Sequence, residues 1–143
     1  MTVEGGADLA LVQRLDELVE LVEVLGTTAY VRVSAGPEAD AGSPSTDGES
    51  GATLPGLSVN RLSPEPWWQR PVRQWVARQI CQYVHLAGGE RYPWVLTGRE
   101  VGRGPDSEPL VTDVHPVARL APPLVEEAVR EYHAALDAGR MPG

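Results

Sequence analysis

Apolar residues recur every three or four positions in three stretches of the chain and every second position in the segments between. Leu11, Leu15, Leu18, Val22 and Leu25 form the first series, with Asp16, Glu17, Glu20 and Glu23 between them. That period fits one face of an α-helix. With Asp8 as N-cap and Gly26 as stop, it predicts a helix over roughly 8–25. Val19, Leu21 and Val24 widen the apolar stripe. The helix is therefore read either as a cover for the core or as a pairing surface for a second copy or another protein. Thr28–Ser34 then alternates, with Tyr30, Arg32 and Ser34 on one side and Val31 and Val33 on the other. This predicts a strand whose valines are buried and whose Arg32, beside Tyr30, is free to stack or to bind an anion.

Residues 35–53 contain no large apolar side chain. They predict a mobile polar loop, either a lid or a plain insertion. Leu57 to Leu62 reads as a short strand, with Leu57, Val59 and Arg61 opposite Ser58 and Asn60. Ser63 and Pro64 are read as the cap and first position of a helical piece carrying Trp67 and Trp68, ending before Pro71. A second piece runs from Val72 to about Leu86, with Val72, Trp75, Val76, Gln79, Ile80 and Tyr83 on one face. Alternation returns from Arg91 to Arg99, extendable through Val101, and again from Glu108 to Val114. Between them, residues 102–106 read as a loop. Pro122-Pro123 opens a last helix with Leu124, Val125, Ala128, Val129, Tyr132 and Leu136 on its apolar face. The order predicts an α+β fold: a small antiparallel or mixed sheet with N-terminal, central and C-terminal helices. Residues 1–143 are expected to form a single domain with frayed ends at 1–7 and 139–143.

Charge sharpens this outline. The net charge is −8. Residues 1–60 hold ten acids and two arginines, residues 61–103 seven arginines and three acids, and residues 104–143 seven acids and three arginines. An acidic chain is a poor non-specific nucleic-acid binder. The basic middle either neutralises its acidic flanks or meets a small anionic ligand. No apolar run approaches the ~20 residues of a membrane span. The opening MTVEGGADLA has neither the basic start nor the apolar block of a signal peptide, and Cys81 is the lone cysteine. Together these imply a cytoplasmic protein.

The segments YVRVSAGPEAD (30–40), LPGLSVNRLSPEPWW (54–68), WVARQICQYVHL (75–86) and WVLTGREVGRGPDSEPLV (94–111) resemble an uncharacterised, mainly actinobacterial protein family of unknown function. That resemblance implies no activity or cofactor. A second one is chemical. Arg32 in YVRVS, Ser58 in GLSVN and Glu108 in DSEPL resemble the arginine–serine–glutamate layout of small ADP-ribosyltransferases. It implies that Arg32 binds NAD phosphate, that Ser58 orients Glu108, and that Glu108 stabilises a cationic transition state. Asn60 and Asp106 depart from that family's usual residues.

Other chemistry has weaker footing. Ser58 lies one glycine short of a G-x-S-x-G elbow, and His85, His115 and His133 have no marked context. Three scattered histidines and one cysteine have no metal-ligand spacing, so neither metal nor resident cofactor is expected. Asp106, Glu108 and Asp113 read as a solvated loop, and Cys81 as a small packing residue. Trp75 falls on the apolar helix face, whereas adjacent Trp67 and Trp68 point apart, so that either both are partly buried at a helix–helix elbow or one lines a pocket or partner site. The sequence thus describes a domain that binds a protein partner or small anionic ligand. Its expected surface joins Tyr30, Arg32, Ser58, Asn60, Trp67, Trp68, Arg99 and Glu108. The alternative is an NAD-dependent ADP-ribosyltransferase.

Overall fold

The computed structural model describes residues 9–41, 53–83, 87–105 and 107–140. It is an α+β fold with a mixed sheet. In chain order the elements are β1 (Ala10–Val12), α1 (Leu15–Val24), β2 (Tyr30–Ser34), α2 (Pro37–Ala41), β3 (Leu57–Ser58), β4 (Asn60–Arg61), α3 (Val72–Tyr83), β5 (Tyr92–Arg103), β6 (Pro109–Leu120) and α4 (Pro122–Arg140). The sheet order is β1-β6-β5-β2-β4, with β3 also on β6. Among the described residues only the β1–β6 pair is parallel.

The main core lies between one sheet face and three helices. Leu15, Leu18 and Val22 of α1 meet Trp75, Val76 and Ile80 of α3, Leu124 and Ala128 of α4, and Val31, Val95, Ala118 and Leu120 of the sheet. The helical periods in the sequence mark these contacts. Polar groups then fix the helices against one another. The Arg73 guanidinium on α3 bonds Glu131 (2.8 Å) and Glu127 (3.1 Å) of α4, and also reaches Asp16 of α1. Glu127 additionally accepts the Leu15 backbone N–H at 2.9 Å, so a carboxylate from α4 satisfies an open donor at the start of α1.

The first helix is shorter than the period predicted. Ala10–Val12 are a strand beside β6, and α1 starts at Leu15. The expected cap, Asp8, lies outside the described residues. Leu11 fits the helical spacing but sits half-exposed on β1. The proline-rich entry to α3 also differs: residues 64–70 form turns rather than a helical piece. Three prolines, at 64, 66 and 71, remove backbone donors and bias the preceding residues away from helix. Ser63 instead accepts the Ala29 N–H at 2.8 Å.

The stretch expected as a loop begins with structure. Pro37–Ala41 form α2, anchored by Asp40; residues 42–52 lie outside the described residues. Both faces of β2 are covered, not the valine face alone. Tyr30 is 3% exposed and Ser34 6%.

The cause is a curl in the sheet. β6, β5 and β2 lie side by side, which separates β6 from β2 by about 9–10 Å in a flat sheet. Yet the segment Leu57–Arg61 pairs with β6 through Leu57–Ser58 and with β2 through Asn60–Arg61. The sheet must bend until one short segment serves both edges. A second core, Tyr30, Val59, Trp94, Leu96 and Val111, fills the inside of the bend. Gly56 and Gly98 permit it: a Cβ at Gly56 would lie 2.9 Å from the Val111 backbone, and one at Gly98 3.0 Å from the Thr112 carbonyl oxygen.

The long β5–β6 hairpin absorbs segments expected as loops. Gly102 lies within β5, while His115 and Pro116 lie within β6. Register shifts fall at Val95/Leu96, Thr97/Arg99 and Glu100/Gly102. Pro116 stands at the first shift and Asp113, with φ 55°, near the second. Bulges are where a sheet tolerates proline and positive φ.

Candidate functional site

A cleft of 510 Å³ opens where the curled sheet meets α3. Its walls carry Arg32, Arg61, Arg78, Arg91 and Arg103. Glu65 and Glu108 are the acids among the same lining residues. Against 12 basic and 20 acidic residues in the whole chain, this concentration of arginine reverses the protein's overall charge locally.

The arginines are not equally engaged. The Arg32 Nε donates to Asp40 Oδ2 at 2.7 Å, its Nη2 to Oδ1 at 3.3 Å, and its Nη1 to the Ser58 carbonyl at 2.6 Å. Its fork is therefore occupied by protein groups. Asp40 is held further by the Ser34 hydroxyl at 2.6 Å, and Ser34 Oγ accepts the Trp94 indole N–H at 2.9 Å. This chain of bonds joins α2, β2, β3 and β5. Arg61 donates to the carbonyls of Ser63 and Pro64 and stands 3.7 Å from Glu65. Arg103 donates to the Ser107 carbonyl and lies 3.6 Å from Glu100.

Arg78 and Arg91 differ. Arg78 donates to Gln79 Oε1 at 3.2 Å, with its Cζ 5.4 Å from the Trp75 ring centroid. Arg91 donates to the Val33 carbonyl at 3.2 Å. Among the described residues neither has a carboxylate within ion-pair distance. Trp75 also lines the cleft; it is 3% exposed, and its Nε1 has no hydrogen-bond partner among the described residues.

At the sheet end of the cleft, Ser58 Oγ donates to Glu108 Oε2 at 2.6 Å. A Cβ at Gly104 would lie 2.5 Å from the Glu108 carboxylate atoms, so the glycine leaves room for the carboxylate to fold back. Arg32, Ser58, Asn60 and Glu108 thus meet in one cleft. Tyr30, Trp67, Trp68 and Arg99 are not among its lining residues. Tyr30 is buried and donates to Glu100 at 2.8 Å. Burial, and then that bond to Glu100, push its phenol up to about 12. Arg99 pairs with Asp113 on the exposed hairpin at 3.1 Å. Trp68 packs against the main core and donates to the Pro71 carbonyl. Trp67 is 65% exposed.

The cleft arginines outside the expected surface are Arg61, Arg78, Arg91 and Arg103. All four come from the basic 61–103 block, so the charge pattern carried the signal without the positions. The same block also does the neutralising: Arg73 and Arg99 pair with acids of the C-terminal block.

Other chemistry finds less support in the geometry. No group of three His, Cys, Asp or Glu side chains among the described residues is placed to hold a metal ion. His85 lies outside the described residues. The Cys81 thiol is half-buried, and burial pushes its pKa up, away from thiolate character. No helix among the described residues is long and apolar enough to cross a membrane.

No curated protein and no solved structure matches the chain. A family model does match, from residue 5 to residue 141, and the chain belongs to that family, described as a family of unknown function (DUF6098).

Proposed function

We propose that the arginine cleft binds a small anionic ligand and that the protein acts as a binding domain. The observation that carries this reading is the pair Arg78 and Arg91, two guanidinium groups on one cleft with no carboxylate partner among the described residues, in a chain of net charge −8. Cations without counter-ions repel one another across a concave surface, and an anion removes that repulsion. Thermal melts of the full chain with phosphate, diphosphate and citrate test the reading. A ligand bound only by the folded state raises Tm by mass action, by about 2.7 kcal/mol of stability at a hundred times Kd. The shift should shrink in Arg78→Gln and in Arg91→Gln. A flat response to every anion rejects the proposal.

The second reading is an NAD-dependent ADP-ribosyltransferase. The meeting of Arg32, Ser58 and Glu108 in one cleft favours it. Two observations weigh against it: Asp40 occupies the Arg32 fork, and the strands form one curled sheet rather than two facing ones. NAD is the deciding arm of the same melts. Release of nicotinamide, abolished by Glu108→Gln, supports the transferase; binding without release supports the binding domain.

Self-association through residues 8–25 is a separate proposal, supported by two side chains the core leaves uncovered, Leu11 at 52% and Val24 at 70% exposed. Light scattering across concentrations checks it, with Val24→Glu as control; a constant monomer mass rejects it. The setting proposed for all of this is cytoplasmic, in keeping with a single half-buried cysteine.

A further inference from the structure

We infer that the ligand is a nucleoside diphosphate, with its phosphates among the cleft arginines and its base on Trp67; this rests on the anion-binding reading above. The first argument is the state of the tryptophans. Trp75 and Trp94 are buried and Trp68 is partly covered, whereas Trp67 is 65% exposed. An exposed indole presents a large apolar surface that an aromatic ligand can cover.

Its placement is the second argument. The Trp67 ring stands 5.7 Å from Trp75 at an interplanar angle of 76°, and 6.1 Å from Trp68 at 66°. Neighbours at such steep angles fix the ring without lying parallel to it. Trp75 is itself part of the cleft wall, as is Glu65, two residues before Trp67. The platform therefore starts where the arginine surface ends. Size is the third argument. A volume of 510 Å³ is far more than one phosphate needs and falls within the range of small-molecule sites, about 300–1,000 Å³. Arginines on both the sheet and α3 sides suit a ligand with more than one phosphate. Stacking on an indole tolerates any base, because every base has a π face. The inference is therefore for a nucleoside diphosphate without base selectivity.

Calorimetric titration of the full chain with inorganic diphosphate, ADP and adenosine tests this. ADP should bind about ten-fold more tightly than inorganic diphosphate, the scale of one stacked base. Trp67→Ala should bring the two to equal affinity and leave the diphosphate affinity unchanged. Trp67→Tyr, which keeps an aromatic face, should retain the preference. ADP no tighter than diphosphate on the wild-type chain overturns the inference while the anion site stands. Binding of neither overturns both. Adenosine as tight as ADP also overturns it, because the arginines would then contribute nothing. If ADP keeps its preference in Trp67→Ala, the base lies elsewhere and the assignment to Trp67 fails. The wild-type ratio needs no variant, so it decides the ligand class even if Trp67→Ala disturbs folding.

Discussion

Replacing Ser34 with alanine removes one hydroxyl but changes the surroundings of three other groups. Ser34 Oγ accepts the Trp94 indole N–H at 2.9 Å and the Gly36 backbone N–H at 3.1 Å, and donates to Asp40 at 2.6 Å. Ser34 is 6% exposed and Trp94 fully buried, so water cannot easily take over these bonds. An orphaned buried indole N–H costs about 1–3 kcal/mol, and loss of the Gly36 bond about 0.5–1.5 kcal/mol. Asp40 keeps its two bonds to Arg32 and adds little. The expected loss for Ser34→Ala is thus about 2–4 kcal/mol, large beside the roughly 5–15 kcal/mol of a typical domain. Urea unfolding followed by tryptophan fluorescence measures it, with an unchanged m-value showing that the unfolded state is not altered. Because Ser34 and Asp40 share one network, Ser34→Ala and Asp40→Asn should be non-additive by at least about 0.5 kcal/mol. A loss below about 1 kcal/mol, or strict additivity, would refute the idea that Ser34 joins α2 to the sheet.

Three further outcomes are expected. Tyr30 has its phenol raised to about 12, first by burial and then by Glu100, so the folded state holds the proton more tightly than the unfolded chain. Its contribution is whole below pH 10 and is lost as pH rises towards 12, a loss reaching about 2–3 kcal/mol that Tyr30→Phe should remove from alkaline unfolding curves. Glu127 is held below the usual carboxylate range, chiefly by the Leu15 N–H and then by Arg73. Its contribution is present above its unfolded pKa and lost as pH falls through the folded one. Glu127→Gln should therefore flatten the acid limb of stability and cost about 1–2 kcal/mol at neutral pH, measured by urea titration. Glu108→Gln should raise diphosphate affinity by removing a negative charge from the cleft. Gly104→Ala, whose Cβ falls on that carboxylate, should act in the same direction by displacing it, and calorimetry checks both.

Much of the fold could be read from the pattern of residues. α3, α4 and the buried face of α1 follow their apolar periods, because each helix packs one face on the main core. The errors share a physical cause. Leu11 belongs to the helical series by spacing, yet pairing with β6 claims it for a strand, and no local signal in the sequence announces that distant edge. Val31 and Val33 pointed to one buried face of β2; the curl that buries the other depends on Leu57–Arg61 reaching two edges at once. The strand expected over Glu108 to Val114 continues through Pro116 to Leu120, because only the partner strand reveals the register shift that accommodates the proline. For the cleft, the order Arg32, Ser58, Glu108 did mark residues that meet. The role expected of Arg32 was less visible, since Asp40 lay in a stretch without apolar residues and seemed free of the sheet. Arg78 and Arg91 stood out only as charge in a block, because Arg78 reaches the cleft by the way α3 crosses the sheet and Arg91 by the pairing of β5 with β2.

The curl also has a consequence for how the protein behaves in a crowded solution. Open strand edges can recruit strands from other molecules, and long apolar ones are the most dangerous. Here the edges are small: β3 and β4 have two residues each and β1 has three. The outer half of β5 runs past β2 without a partner on that side among the described residues, but it carries Arg99, Glu100 and Arg103 with Gly102 between them. Charge and glycine make that edge a poor template for another strand. The long β5–β6 hairpin is thus guarded against cross-molecular pairing by the residues on its own edge.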